Sequence, residues 1–192
     1  GFLRNPKQTW NGDMSSSILQ DEELSENSDS HADFFWQKNN LSSNIYYVGK
    51  IGKLGIDFNT DWLWSKEYQN DVTKEQYQEV GMNAQSQTAH SLTNKDYHLL
   101  ASKLVLSYPL SGGNLSLGGE YSNTHRTSKY QVVPTNFVSD DDSRITESMT
   151  SSFLTYSRDF GNVSMEAGLR YEYIDFNYYE YGKYVPEQSK SY

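Results

Sequence analysis

Three short turns, each flanked by runs in which apolar and polar residues alternate, constrain this 192-residue chain more than any other feature. After Gly52-Lys53, residues Leu54, Ile56, Phe58, Thr60, Trp62 and Trp64 point one way, and Gly55, Asp57, Asn59 and Asp61 point the other. Before that turn, Ile45, Tyr47, Gly49 and Ile51 form a matching stripe. A period of two belongs to a strand, and a helix would need apolar residues at i, i+3, i+4 and i+7, which the chain sustains nowhere. A two-residue turn at Gly52-Lys53 sets Tyr47 opposite Phe58 and Ile51 opposite Leu54, so both apolar stripes fall on one sheet face.

The same construction recurs twice. A turn at Gly112-Gly113 sets Leu104 opposite Tyr121 and Leu106 opposite Gly119. A turn at Phe160-Gly161 sets Leu154 opposite Ala167, with Phe153 over Gly168 on the other face. Strands are expected near 8–19, 34–51, 54–68, 86–108, 114–130, 146–159 and 162–180. Tight turns then alternate with long polar connections at 20–33, 69–85 and 131–145. The expected fold is all-β: an antiparallel up-and-down meander of about seven long strands.

Composition decides which kind of meander this is. Only 35% of the chain is hydrophobic, yet 15% is aromatic, too much for a disordered segment and too little aliphatic mass for a generous soluble core. A net charge of −9 excludes a nucleic-acid surface, and the absence of cysteine excludes disulfides, thiolate metal sites and a cysteine nucleophile. No window holds the ~18 apolar residues of a spanning helix. One strand face is aliphatic and aromatic while the other is charged, the dressing of a partial outer-membrane-type β-barrel. The lipid-facing set, with its aromatic girdle, is then Ile56, Phe58, Trp62, Trp64, Tyr121, Leu169, Tyr171 and Tyr173. The lumen-facing set is Asp57, Asp61, Glu120, Glu166 and Arg170.

Three segments carry a family resemblance: residues 49–59 (Gly49-Lys50-Ile51-Gly52-Lys53-Leu54-Gly55-Ile56-Asp57-Phe58-Asn59), residues 115–122 (Leu115-Ser116-Leu117-Gly118-Gly119-Glu120-Tyr121-Ser122) and residues 167–173 (Ala167-Gly168-Leu169-Arg170-Tyr171-Glu172-Tyr173). In this order they resemble TonB-dependent receptors, in the large outer-membrane β-barrel family. The resemblance implies a bacterial outer-membrane location, a 22-stranded barrel with a plug domain, energy from TonB, outer-membrane lipid around it, and uptake of a small-molecule, peptide or glycan nutrient. It shows no plug and no alternating aromatic strand at Pro186–Tyr192. Residues 1–192 are therefore expected to be a single fragment of such a barrel, inactive alone. In water the fragment is expected to curl over its apolar face, turning Asp57, Glu120, Glu166 and Arg170 outward, or to self-associate through strand edges.

Chemistry-bearing residues are sparse. His31, His90, His98 and His125 share no metal-ligand spacing, and no nucleophile elbow or phosphate loop occurs. Asp140-Asp141-Asp142 lacks the spacing of a calcium loop. Neither a catalytic residue, nor a cofactor, nor a resident metal is expected, and the chain is not expected to be an enzyme. A different class of reading is a soluble β-sheet module that binds glycans through exposed aromatics such as Trp62 and Trp64.

Overall fold

The computed structural model describes residues 1–21, 23–134 and 139–192. They form one antiparallel sheet of ten strands: β1 (Phe2–Arg4), β2 (Lys7–Gln20), β3 (Glu23–Ile51), β4 (Leu54–Glu79), β5 (Gln85–Leu110), β6 (Gly113–Val133), β7 (Asp141–Phe160), β8 (Val163–Glu180), β9 (Lys183–Tyr184) and β10 (Lys190–Ser191). The seven long strands β2 to β8 are the expected meander. β1 and β2 share one register along β3, interrupted at Asn5-Pro6. Pro6 has no N–H to give, but its carbonyl still accepts from the Lys38 N–H at 3.0 Å. β9 and β10 fold back on the end of β8, with a 3-10 turn at Pro186–Gln188 between them. Among the described residues no ladder joins β2 to β8, so the sheet is open.

The first hairpin has the expected register, Tyr47 opposite Phe58 and Ile51 opposite Leu54. The other two are corrected by two residues. Leu104 faces Gly119, not Tyr121, and Leu106 faces Leu117. Leu154 faces Leu169, not Ala167, and Phe153 faces Arg170, not Gly168. The turns themselves explain the shift. Ser111 (φ 50) and Gly112 (φ 76) both take left-handed conformations, the type I′ requirement, so the turn sits one residue earlier than Gly112-Gly113. In the third hairpin Gly161 (φ 65) is the first central residue, so the turn is Gly161-Asn162. An even shift leaves every side chain on its expected face.

The long polar connections are corrected more heavily. Residues 23–33 belong to β3, 69–79 to β4 and 141–145 to β7. Asp21 (φ 53) leads the β2–β3 turn, and residues 80–84 join β4 to β5. Of these expected connections, Glu22 and residues 135–138 lie outside the described residues. The β3–β4 ladder runs without a shift from Ile51↔Leu54 to Glu26↔Glu79. Polar sequence is no bar to a strand here: residues 69–77 of β4 are laddered to β3 on one side and β5 on the other. Polar side chains add hydrogen bonds along and across strands, Gln69 to Asp71 within β4 at 2.7 Å and Gln87 on β5 to Glu75 on β4 at 2.6 Å.

Packing follows face. Among the described residues five are buried, Ser28, Ser65, Gly118, Val132 and Ser151, and register puts all of them on the face of Asp57, Glu120 and Arg170. The opposite face leaves Leu104 42% and Leu169 80% exposed. The expectation that the sheet curls over its apolar stripe is therefore overturned. Charged side chains on the inner face reach one another across strands, whereas aliphatic ones in a single sheet layer have nothing opposite to pack on.

Candidate functional site

Register builds the apolar face row by row. Gly49, Ile56, Leu106, Leu117, Leu154 and Leu169 stand side by side across β3 to β8. The next row toward the polar ends is Tyr47, Phe58, Leu104, Gly119, Ser152 and Tyr171, followed by Ile45, Thr60, Ser102, Tyr121, Thr150 and Tyr173. All eight residues expected to face lipid lie on this one face, and all five expected to face the lumen lie on the other. The apolar run on β4 is residues 54–64, close to the ~9–11 residues that a tilted strand needs to cross a bilayer. Trp62 and Trp64 border it on the side of the long strand extensions, whereas register sets Tyr121 and Tyr173 level with Thr60, and Tyr171 level with Phe58.

A second aromatic border escaped the sequence reading. Tyr108 and Tyr156 flank Leu115 in a single row at the tight-turn end. The Tyr156 hydroxyl donates toward the carbonyls of Leu110 at 3.3 Å and Ser111 at 3.4 Å, tying β7 to the neighbouring turn. The corrected register was needed to bring these two tyrosines level.

The inner face carries a charge network. The Glu120 carboxylate meets Lys103 Nζ at 2.9 Å and Arg170 Nη2 at 2.8 Å, and Arg170 Nε donates to Glu172 at 3.1 Å. Ser151 Oγ donates to Glu120 at 3.3 Å. The Phe153 ring covers Gly118, with Lys103 Nζ 5.6 Å and Arg170 Cζ 5.9 Å from its centroid. Expected residues Glu120 and Arg170 are thus brought together, joined by Lys103, Glu172, Ser151 and Phe153. Asp61 is held separately, by Asn44 at 2.7 Å and Asn59 at 3.0 Å. Among the described residues Asp57 and Glu166 make no ion pair, and Glu166 sits opposite Ser157 near the third turn. The arrangement offers fixed charge along a wall and no acid–base or nucleophile pair within reach of a reacting atom.

Beyond the apolar rows, the strand extensions hold two groups with shifted titration. His31 Nδ1 lies 2.6 Å from Asp13 and its Nε2 3.5 Å from Asp33. The Asp13 hydrogen bond raises its pKa above the ordinary value, with Asp33 adding to it. Glu75 accepts from Ser28 and Gln87, which hold its pKa below the usual carboxylate range. The His31 contacts favour the protonated ring, so they are complete below its ordinary pKa of ~6.5 and fade as pH rises through the raised value. The Glu75 contacts favour the carboxylate and fade as pH falls through its lowered value. Intermediate pH should therefore give the tightest extensions. Hydrogen exchange in β2 and the outer part of β3 should quicken on the alkaline side, beyond the intrinsic pH effect, and His31→Gln should flatten that change.

The remaining candidates resolve into structure. Asp140 accepts from the Val132 N–H at 3.0 Å, Asp141 from Ser143 at 3.2 Å, and Asp142 pairs with Lys129 at 2.9 Å. His98 contacts Asp96 at 2.8 Å, with its ring centroid 6.4 Å from that of His125. Among the described residues no group of three His, Cys, Asp or Glu side chains could hold a metal ion.

A model of the outer membrane protein beta-barrel family matches residues 49–192, three-quarters of the sequence. The chain belongs to the outer membrane protein β-barrel family. Its place is the bacterial outer membrane, where this family crosses the bilayer with strands rather than helices. Among solved barrels it is similar to the unliganded ferric citrate transporter FecA, with 11% identity and a TM-score of 0.44. It is also similar to the alcaligin receptor FauA of Bordetella pertussis (10%, 0.40) and to the ferripyoverdine receptor of Pseudomonas aeruginosa (8%, 0.31). The alignments cover 97%, 99% and 98% of this chain, but only 37%, 37% and 38% of those proteins. No curated protein sequence matches the chain.

Proposed function

We propose that this chain is a segment of the wall of a TonB-dependent outer-membrane receptor that takes up a nutrient, with the apolar face toward lipid and the charged face toward the lumen. The observation that carries the reading is the sorting of burial: among the described residues every buried one lies on the charged face, while the aliphatic rows stay open to the outside. In a soluble sheet that order would be reversed, because water disfavours a contiguous apolar surface. Trp62 and Trp64 fit lipid headgroups better than sugars here, since they border an apolar band and are not set in a polar cleft. An open sheet with unpaired edges requires further strands to close it, and the rest of the receptor supplies them, along with a plug and the contact to TonB. Alone the segment moves no solute.

The strand extensions beyond Trp64 then stand outside the cell, and the Gly52-Lys53, Ser111-Gly112 and Gly161-Asn162 turns face the periplasm. Cysteines introduced one at a time into the full-length protein decide this. Met82→Cys, at an exposed position between β4 and β5, should react with an impermeant maleimide on intact cells. Lys53→Cys should react only after the outer membrane is opened. The opposite pattern refutes the orientation, and labelling of both on intact cells refutes the spanning arrangement.

A further inference from the structure

Cations are the minority charge in this protein, 16 Lys and Arg against 25 Asp and Glu, yet four of them line one concavity. Arg4, Lys38, Lys95 and Arg126 line a hollow of about 510 Å³ on the inner face, together with Phe2, Tyr97, Leu63 and Ser65. The residues come from β1, β3, β4, β5 and β6, and register places them in adjacent rows: Asn40, Ser65, Tyr97 and Arg126 in one, Lys38, Glu67 and Lys95 in the next. Leu63 is level with Trp62 and Trp64, so the hollow opens where the lumen leaves the membrane.

One acid answers these four bases. Glu67 Oε2 lies 3.8 Å from Lys38 Nζ and its Oε1 3.4 Å from Lys95 Nζ, with the carboxylate largely covered between them. Among the described residues neither Arg4 nor Arg126 has an acidic partner; Arg4 stacks instead on Phe2, 5.5 Å from the ring centroid. Glu67 thus fixes the two ammonium groups in place and leaves the two guanidinium forks without a fixed anion. A guanidinium offers paired parallel donors to a carboxylate or phosphate, and a concave wall concentrates the field of like charges.

We propose that this hollow is a binding site for a small polyanion, a solute carrying two or more carboxylate or phosphate groups, with Arg126 and Arg4 as its direct ligands and Lys95 and Lys38 setting the field. The inference rests on the inner face being the lumen, as proposed above, and it adds the chemical class of the solute. Tyr97 and Phe2 provide flat apolar sides, so a polyanion with a planar or aromatic body fits better than a bare ion.

A rigid aromatic tetraanion, pyrenetetrasulfonate, tests the site in the full-length protein purified in detergent. Its fluorescence should change saturably and lose affinity steeply with added salt. Arg126→Gln and Lys95→Gln should each weaken binding at least tenfold, and Arg126→Lys, which keeps the charge but not the fork, should fall between. Citrate and inorganic pyrophosphate should displace the dye, whereas neutral aminopyrene should not compete. The proposal is overturned if the dye binds no tighter to wild type than to the Arg4→Gln/Lys38→Gln/Lys95→Gln/Arg126→Gln variant, or if aminopyrene binds as well as the tetraanion. Heat-modifiable migration of each variant checks that its barrel is folded. Cysteine labelling at Met82 and Lys53 reads the orientation independently, so failure of the anion site with correct labelling removes this inference and leaves the wall assignment standing.

Discussion

Phe58→Arg should destabilise the assembled barrel by about 2–4 kcal/mol, the cost of a guanidinium at mid-bilayer on a lipid-facing strand position. Phe58 stands near the middle of the apolar run 54–64, between Tyr47 on β3 and Leu104 on β5. An arginine there has ~5 residues of strand to either interface, too far for its side chain to reach water without distorting the bilayer. Asp57→Arg, one residue away, turns to the other face beside Val48 and Val105 and should change stability by no more than about 0.5 kcal/mol. Urea unfolding of the full-length protein in liposomes measures both. Equal costs at 57 and 58 would remove the distinction between a lipid side and a lumen side.

The second large effect is expected from a single methyl group. A Cβ at Gly118 would enter the Phe153 ring, whereas a Cβ at Gly119 would meet nothing closer than the Ser151 carbonyl oxygen at 3.5 Å. Gly118→Ala should therefore cost about 1–3 kcal/mol, as overpacking does when a ring must leave its place. Gly119→Ala should stay within about 0.5 kcal/mol. Removing the ring relieves the conflict, so Gly118→Ala/Phe153→Ala should be less destabilised than the two single variants added together, by about 1 kcal/mol or more. Strict additivity would mean that Phe153 does not lie over Gly118. The displaced ring would also leave Lys103 and Arg170, so anion-exchange or salt-dependence measurements on Gly118→Ala should report a loosened network around Glu120.

How much of this was legible beforehand depended on the local signal. Gly52-Lys53 offers one glycine at the position that needs a positive φ, and its register came out right. Gly112 and Gly113 offer two, and Ser111 then takes a conformation that serine seldom adopts, so the turn moved by one and the pairing by two. Face assignments survived because the period is two and the error was even. The extensions were invisible because alternation marks a boundary between unlike solvents, and residues 65–79 carry mostly polar side chains on both faces. Their stretch of Gln, Asn, Lys and Glu reads as loop by composition although its backbone is fully laddered. The charge network was legible only in part: Glu120 and Arg170 stand out as charges on strands, but their partnership needs the register of three strands. The cationic hollow needs five strands at once, and nothing in a linear reading joins Arg4 to Arg126.

The continuation of β4 past Trp64 has a consequence for what this wall meets before any solute does. Residues 65–79 add about 50 Å of strand at ~3.4 Å per residue, or roughly 35 Å of height at a tilt of ~45°. With the extensions outside the cell, as proposed above, such a palisade would overtop the headgroups and reach into the sugar layer that coats many outer membranes. In the orientation proposed above, a molecule arriving from the medium touches the crest at residues 80–84 first, and descends past Glu79, Glu75 and Asp71 among amides and hydroxyls before it reaches the arginines. In that arrangement size is screened at the crest, tens of ångströms away from the proposed anion site. Binders raised against intact cells should for the same reason land on the β4–β5 tip, and block entry without ever contacting the hollow beneath.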